Sequence, residues 1–200
     1  ALILIVAGLD KRYVIGAIIL AIIALPLLYF FVLPSHAKTR IDVFLNPNLD
    51  PRGSGYNVLQ SKLAIGSGKL FGMGIKNGSQ TQLGYLYPQT TDFIYSAIGE
   101  EMGFIIAALV IVLYLILITK AIYIAKTARD DLGSYISAGI AGIFLFHMVE
   151  NIGMTMGLLP ITGVPLPFVS YGGSSMMTSF VAIGILLNIS SQRRNGLFNK

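Results

Sequence analysis

The sequence contains no cysteine. It can therefore form no disulfide, no thiolate metal site and no cysteine nucleophile, and its loops must hold their shape by packing. Charged residues are also scarce, at 12% of 200 residues, whereas soluble domains carry about 25%. Hydrophobic residues make up 54% and the mean hydropathy is +0.75. This balance predicts an integral membrane protein and argues against a soluble domain.

Four hydrophobic windows are long enough to cross a bilayer, which takes about 20 residues. They cover residues 13–33, 93–119, 135–159 and 173–190. Residues 1–9 are typical of the tail of an earlier span. We therefore expect an all-α, polytopic transmembrane bundle in which residues 1–200 form the C-terminal part of one multi-span domain of a longer protein.

The net charge of +5 does not indicate a nucleic-acid partner, because the basic residues follow the spans. They concentrate in the short segments 10–12, 120–134 and 191–200. The positive-inside rule places these segments in the cytoplasm. Residues 34–92 and 160–172 are then expected on the outer side of the membrane.

The outer segment, residues 34–92, is unusually long for a loop, and such loops are usually functional or disordered. Within it, Tyr56, Leu59 and Leu63 recur at helical spacing and share one face. This pattern predicts a short amphipathic helix at the outer membrane interface, followed by tight turns at the glycines of residues 66–78.

Ionisable residues inside spans are costly and mark candidate sites. Asp92 lies at the outer mouth of the second window, and Glu100 and Glu101 would lie about 12 Å deeper along a straight helix. His147 and Glu150 share one face of the third window. The sequence therefore predicts a polar cavity that opens to the outside.

Each of these residues also has a structural alternative. Asp92 is as well suited to cap the following helix as to act in catalysis, because aspartate favours that position. His147 and Glu150 could form a buried hydrogen-bonded pair. Glu100 and Glu101 could hold helices together or contact a substrate.

The segment "TGVPLPFVSYGGSS", residues 162–175, is rich in proline, glycine and hydroxyl groups and has no charge. Irregular backbone at membrane depth is tolerated where it is buried in protein or lines a cavity. Pro165 and Pro167 would keep it extended, while Gly172 and Gly173 would allow close backbone approach. We expect it to help close the outer cavity; a plain turn is the alternative.

Four blocks together carry a resemblance to a known family. They are "DPRGSGYNVLQSKLAIGSG" (50–68), "TDFIYSAIGEEMGF" (91–104), "NIGMTMGLLP" (151–160) and "LPITGVPLPFVSYGGSS" (159–175). In this order they resemble the SEDS family of bacterial cell-wall proteins, the RodA/FtsW group. "GSQTQLGYLYPQTTDF" is more similar to the RodA branch.

The resemblance implies a peptidoglycan glycosyltransferase of about ten spans. It would polymerise lipid II, a disaccharide-peptide on undecaprenyl diphosphate, at the outer face of the bacterial cytoplasmic membrane. It also implies that Asp92 is the catalytic base and that a class B penicillin-binding protein is the partner.

A diphosphate leaving group needs positive charge nearby. Lys62 is the first candidate, and a divalent cation such as Mg or Mn is another source of charge, with no metal ligands assigned in the chain. Further substrate-binding candidates are Arg52, Gln60, Ser61, Lys69, Glu100, Glu101, Ser170, Gly172 and Gly173.

Two other functions remain open from the sequence. A flippase or transporter of lipid-linked precursors would also use carboxylates and a groove, but its discontinuous helices usually come in pairs near the bilayer midplane. A non-catalytic scaffold would leave the costly Asp92, Glu100 and Glu150 unexplained.

Overall fold

The computed structural model describes residues 3, 11–51, 53–86, 88 and 90–195, and these contain helices and no strand. The helices are α1 (Lys11–Phe31), α2 (Ser35–Leu45), α3 (Ser54–Ser67), α4 (Ser79–Gln82), α5 (Ile94–Thr127), α6 (Asp131–Thr155) and α7 (Gly173–Asn195), with a 3-10 turn at Pro47–Leu49. The predicted all-α fold is confirmed.

Three helices are long and apolar enough to cross a membrane, namely Ile94–Thr127, Asp131–Thr155 and Gly173–Gln192. They correspond to the second, third and fourth predicted windows. The first window corresponds to α1, in which the apolar stretch Ile15–Tyr29 is shorter. Apart from residue 3, the predicted earlier span at 1–9 lies outside the described residues.

Helices α5 and α6 form the centre of the fold and share its main hydrophobic core. Ile118 and Ala121 of α5 pack with Ala141 and Phe144 of α6, all of them buried. Near the turn that joins the helices, the Ser134 hydroxyl donates a hydrogen bond to the Ala125 carbonyl at 2.7 Å. The small alanine side chains let the two backbones approach closely, as is common between membrane helices.

Helix α5 is sharply bent at Gly103, where φ is 80° and ψ is 179°. This conformation is essentially restricted to glycine. The Tyr95 hydroxyl donates to the Ala107 carbonyl at 3.4 Å across the bend, although twelve residues of straight helix would separate them by about 18 Å. The second predicted span is therefore bent, and Glu100 and Glu101 do not lie two turns below Asp92 on one straight axis.

The outer segment folds over this bend through α3. One face of α3 is buried and made of small residues, including Gly55, Ser61 and Ala64. At the C-terminal end of the helix, a Cβ atom on Gly68 would overlap the Gly99 carbonyl of α5. The helix predicted in this segment is confirmed, and its other face exposes Leu59 and Leu63.

Candidate active site

The turn at residues 90–92 is anchored through three consecutive backbone carbonyls. The carbonyl of residue 90 accepts from the Tyr171 amide at 2.9 Å, and that of residue 91 from the Ser170 hydroxyl at 2.7 Å. The carbonyl of residue 92 accepts from the side-chain amide of Asn151 at 3.0 Å. The backbone that carries Asp92 is thus bonded to both α6 and the 162–175 segment.

The Asp92 carboxylate, by contrast, makes no hydrogen bond or ion pair within the part of the chain that the structure describes. It is half-buried, and Oδ2 faces Gly163, at 3.2 Å from the position that a Cβ atom would take there. The residue at the N-terminal cap of α5 is Phe93, and no side chain caps that end. The capping interpretation of Asp92 is therefore wrong.

The 162–175 segment is itself tied to the helices around it. Asn151 donates a second hydrogen bond to the Val164 carbonyl at 2.9 Å, and Nδ1 of His147 is hydrogen-bonded to the Pro165 carbonyl at 2.9 Å. From the other side, the Tyr114 hydroxyl of α5 donates to the Pro167 carbonyl. The segment is more than a plain turn, because it holds the Asp92 turn in place.

Within the segment, Ser170 bonds in two directions. Its hydroxyl accepts from the Leu166 amide at 2.8 Å while it donates to the carbonyl of residue 91. Ser170 is 2% exposed. Its hydroxyl therefore positions the Asp92 turn, and both of its hydrogen bonds are made within the protein.

His147 and Glu150 do not form the buried pair that the sequence suggested. Oε1 of Glu150 accepts from the Thr162 hydroxyl at 2.9 Å, whereas His147 bonds to the Pro165 carbonyl. Both side chains bind the irregular segment that follows α6, and not each other. The two side chains share one face of α6, as the spacing predicts, but their hydrogen-bond partners are Pro165 and Thr162, further along the chain.

Two cations of the outer segment reach the loop that follows α6. The Lys62 side chain lies directly over Gly157, where a Cβ atom would overlap it. Nη1 of Arg40 donates to the carbonyls of Ile161 and Thr162 at 3.3 and 3.5 Å. Lys62 and Arg40 together line one small cleft. Arg40 was missed as a site residue, since its only signal in the sequence is its charge.

Residues 157–163 therefore bring four charged groups to one short stretch of backbone. From residue 157 to residue 163, the charged side chains next to this stretch are those of Lys62, Arg40, Glu150 and Asp92. A substrate with an acidic headgroup and a reactive hydroxyl would find cations at one end of this stretch and, at the other, the Asp92 carboxylate, which is unpaired among the described residues.

The remaining predicted carboxylates are engaged by the outer segment itself. Glu100 is fully buried, and its oxygens accept from the amides of Gln80 and Thr81 at 2.8 and 3.0 Å, so it caps α4. Oε1 of Glu101 accepts from the Thr81 hydroxyl at 3.3 Å. These contacts favour the packing alternative for Glu100 and Glu101 over contact with a substrate.

Two further candidates lie next to Lys62 on α3. Ser61 is fully buried, with its Oγ 2.5 Å from Oγ of Ser96 and donating to the Thr155 carbonyl at 2.6 Å. Its hydroxyl thus joins α3 to α5 and α6. Gln60 is half-buried, and Arg52 lies outside the described residues.

The last candidates are Lys69 and the two adjacent glycines. Lys69 is exposed beyond the end of α3. A Cβ atom on Gly173 would meet no atom within 4 Å, and one on Gly172 would lie 3.6 Å from Cβ of Ser175. The predicted close backbone approach at these glycines is therefore wrong. Substrate contact by Lys69, Gly172 or Gly173 stays a prediction.

The sequence matches a family model described as cell cycle protein, FtsW/RodA/SpoVE, over residues 1–195. The peptidoglycan glycosyltransferase MrdB of Escherichia coli is 38% identical over 192 residues, which cover 96% of this chain and 52% of MrdB. RodA of Treponema pallidum is 44% identical over 162 residues, 81% of this chain and 37% of that protein. A probable FtsW of Trichlorobacter lovleyi is 43% identical over 186 residues, 92% and 48% of the two chains.

A solved structure has the same fold, with a TM-score of 0.78 over 100% of this chain and 53% of the other. It is described as "Structural coordination of polymerization and crosslinking by a peptidoglycan synthase complex", and the sequence identity is 24%. The chain spans about half the length of MrdB and of the probable FtsW, and 37% of the length of RodA. Together with the three long apolar helices, the match over residues 1–195 shows that this multi-pass membrane protein belongs to the FtsW/RodA/SpoVE family.

Proposed function

We propose that this chain carries the catalytic base of a peptidoglycan glycosyltransferase that polymerises lipid II into glycan strands. The observation that carries the proposal is the state of Asp92, whose backbone is anchored while its carboxylate stays unpaired among the described residues. A general base needs a fixed position and a free acceptor oxygen. The names of the relatives, peptidoglycan glycosyltransferases of 38 to 44% identity, support the reaction class.

The reaction that we propose is a single displacement at a sugar carbon. A sugar 4-hydroxyl attacks the anomeric carbon that carries the diphosphate, and Asp92 accepts the hydroxyl proton. The new C–O bond forms as the bond to the diphosphate oxygen breaks, and that oxygen leaves with the electron pair. Inverting glycosidases use a second carboxyl group as an acid, but a diphosphate leaves as a stabilised anion without one.

The leaving diphosphate requires positive charge, and the cleft along residues 157–161 supplies two candidates. Lys62 and Arg40 both line this cleft, and both reach the 157–163 stretch whose last residue faces Asp92. Cations that meet the charge developing on the leaving group lower the barrier selectively. We therefore assign Lys62 and Arg40 to the diphosphate, and Asp92 to the attacking hydroxyl.

A divalent cation such as Mg or Mn, the other source of positive charge, stays a prediction. Among the described residues, no three His, Asp or Glu side chains come together in a way that could hold a metal ion. Mg²⁺ is usually held by one or two carboxylates together with substrate phosphates, which needs fewer than three protein ligands.

The location and partner of the protein follow from the same proposal. Lipid II polymerisation would place the 157–163 stretch at the outer face of the bacterial cytoplasmic membrane. Glycan strands must be crosslinked after they are made, so a class B penicillin-binding protein is the expected partner. The RodA-like, elongation branch is favoured by the "GSQTQLGYLYPQTTDF" block.

Transport of lipid-linked precursors is the second candidate, and the bend in α5 is the observation that favours it. Transporters use discontinuous helices whose free backbone groups bind ions or substrates. In this chain the carbonyls of residues 100–101 and the amides of residues 104–105 are paired with residues 69–74. These four groups are therefore not available to bind an ion or a substrate, and catalysis remains the leading function.

The deciding experiment uses the full-length protein with its partner and lipid II, with the transpeptidase blocked and polymer resolved on a gel. We expect polymer from the wild type and none from Asp92→Asn, since asparagine keeps the size of the side chain but cannot accept the proton. Asp131→Asn, an exposed carboxylate at the start of α6, is the matched control. Polymer from a folded Asp92→Asn protein would disprove the base role. No polymer from the wild type would favour transport.

A further inference from the structure

A stretch of the outer segment, residues 69–74, forms hydrogen bonds with the backbone of α5 at the Gly103 bend. In a continuous helix, the amides of Phe104 and Ile105 would pair with the carbonyls of Glu100 and Glu101. Here those amides donate instead to carbonyls of residues 69–70, at 2.8 and 3.3 Å. Conversely, the two carbonyls accept from the amides of residues 73–74, at 2.9 and 3.0 Å.

Each of these four peptide groups at the bend therefore has a hydrogen-bond partner in the outer segment. Lipid-facing backbone must have all of its peptide groups satisfied within the protein, because hydrocarbon offers no hydrogen bonds. Glycines allow the contact, as a Cβ atom on Gly103 or on Gly72 would overlap the facing backbone. The 69–76 segment thus satisfies the peptide groups of residues 100, 101, 104 and 105 that the bend removes from the helical pattern.

The side chains of the 69–76 segment are apolar in the middle and charged at the ends. Phe71 is 81% exposed and Ile75 is 66% exposed, and Leu70 and Met73 are exposed as well. Lys69 and Lys76 bracket them. Four large apolar side chains within six residues form a patch whose exposure to water is energetically unfavourable.

The patch continues an exposed apolar surface of α5. Phe104 is 64% exposed and Ile105 is 50% exposed, and Leu109 is exposed one turn further along the same face. The arm of α5 from residue 104 to Thr127 is about 36 Å long at 1.5 Å per residue. This exceeds the hydrocarbon core of about 30 Å, so the bend lies near the outer boundary of that core.

We infer that residues 69–76 are inserted into the outer leaflet of the membrane as a re-entrant element. The four apolar side chains contact lipid acyl chains, while Lys69 and Lys76 extend to the headgroups, as lysines near an interface do. The element fixes the height of α3, and with it Lys62, relative to the lipid surface. The inference concerns contact with lipid and stands apart from the proposed reaction.

Spin labels on the full-length protein in lipid nanodiscs test this depth. The chain has no cysteine of its own, so Phe71→Cys and Met73→Cys place single labels once any cysteine elsewhere in the full-length protein has been replaced. Collision with oxygen, which is enriched in lipid, is compared with collision with a water-soluble nickel chelate. Leu109→Cys on α5 is the lipid control and Asp130→Cys, exposed in the turn before α6, is the water control.

We expect labels at 71 and 73 to resemble the Leu109→Cys label, with strong oxygen and weak nickel collision. A label from Lys76→Cys should lie shallower, with more nickel collision than the label at 71. Nickel collision at 71 and 73 equal to that at Asp130→Cys would overturn the inference, since the segment would then lie in water. Immobile labels shielded from both reagents would also overturn it, because protein would then cover the patch.

Discussion

The side-chain amide of Asn151 joins two parts of the site, because it donates to the carbonyl of Asp92 at 3.0 Å and to that of Val164 at 2.9 Å. Asn151 is fully buried in α6. One side chain therefore sets the distance between the turn that carries the proposed base and the loop that faces it. Asn151 contacts no reacting atom, and its proposed role is to position Asp92.

Asn151→Leu is expected to lower kcat for lipid II polymerisation about tenfold or more, with a smaller change in KM. Leucine has a similar size but leaves both carbonyls without a donor, at a cost of about 1–3 kcal/mol for each buried group. Single-turnover and steady-state assays on folded protein measure the two constants. Asn188→Leu, on the exposed face of α7, controls for a general effect of the substitution. Wild-type kcat in folded Asn151→Leu would contradict the positioning role.

Ser170→Ala is expected to lower the free energy of unfolding by about 2 kcal/mol, because the Leu166 amide and the carbonyl of residue 91 both lose their partner. Ser174→Ala, at an exposed serine four residues on, should change stability by about 0.5 kcal/mol or less. Denaturation in detergent, followed by circular dichroism, compares the two variants. Equal stability of both would argue that the hydroxyl of Ser170 does not hold the turn.

Lys62→Ala is expected to reduce kcat/KM for lipid II about tenfold or more, or roughly 1.4 kcal/mol in the barrier. Lys62→Arg should retain more activity, because it keeps a cation in the cleft shared with Arg40. Lys126→Ala, near the other end of α5, removes a charge far from the cleft and serves as the control. A loss in the control as large as that in Lys62→Ala would assign the effect to net charge and not to the cleft.

Gly103→Ala is expected to prevent stable folding of the full-length protein. The strained backbone costs about 1–3 kcal/mol for a residue other than glycine, and the added Cβ atom would also overlap the Gly72 amide. Gly184→Ala in α7 meets no atom within 4 Å and should be neutral or stabilise the helix by up to about 1 kcal/mol. Expression level and thermal unfolding of the two variants decide the matter. A folded, stable Gly103→Ala protein would show that α5 can straighten.

The sequence predicted what depends on local pattern. Hydrophobic length gave the three membrane helices, and helical spacing around Leu59 and Leu63 gave α3. Because charge inside a span is costly, Asp92 was a candidate site. The prolines and glycines of residues 162–175 predicted irregular backbone there. Each of these signals comes from residues close together in the chain.

What the sequence could not predict depends on partners far apart in the chain. Glu100 caps α4 through amides twenty residues before it, and Arg40 reaches carbonyls more than a hundred residues away. The bend at Gly103 has no local breaker beyond one glycine, and it persists because residues 69–74 pair with it. Periodicity reports which face of a helix is apolar, but not which distant backbone will meet it.

The hydrogen bond from the Tyr171 amide to the carbonyl of residue 90 makes one peptide proton a reporter of the site. Its exchange with deuterium requires this bond to open. Slow exchange at Tyr171 would mean that the base is held in place before the substrate arrives. Acceleration in Asn151→Leu would measure how far the two anchors of the turn depend on each other.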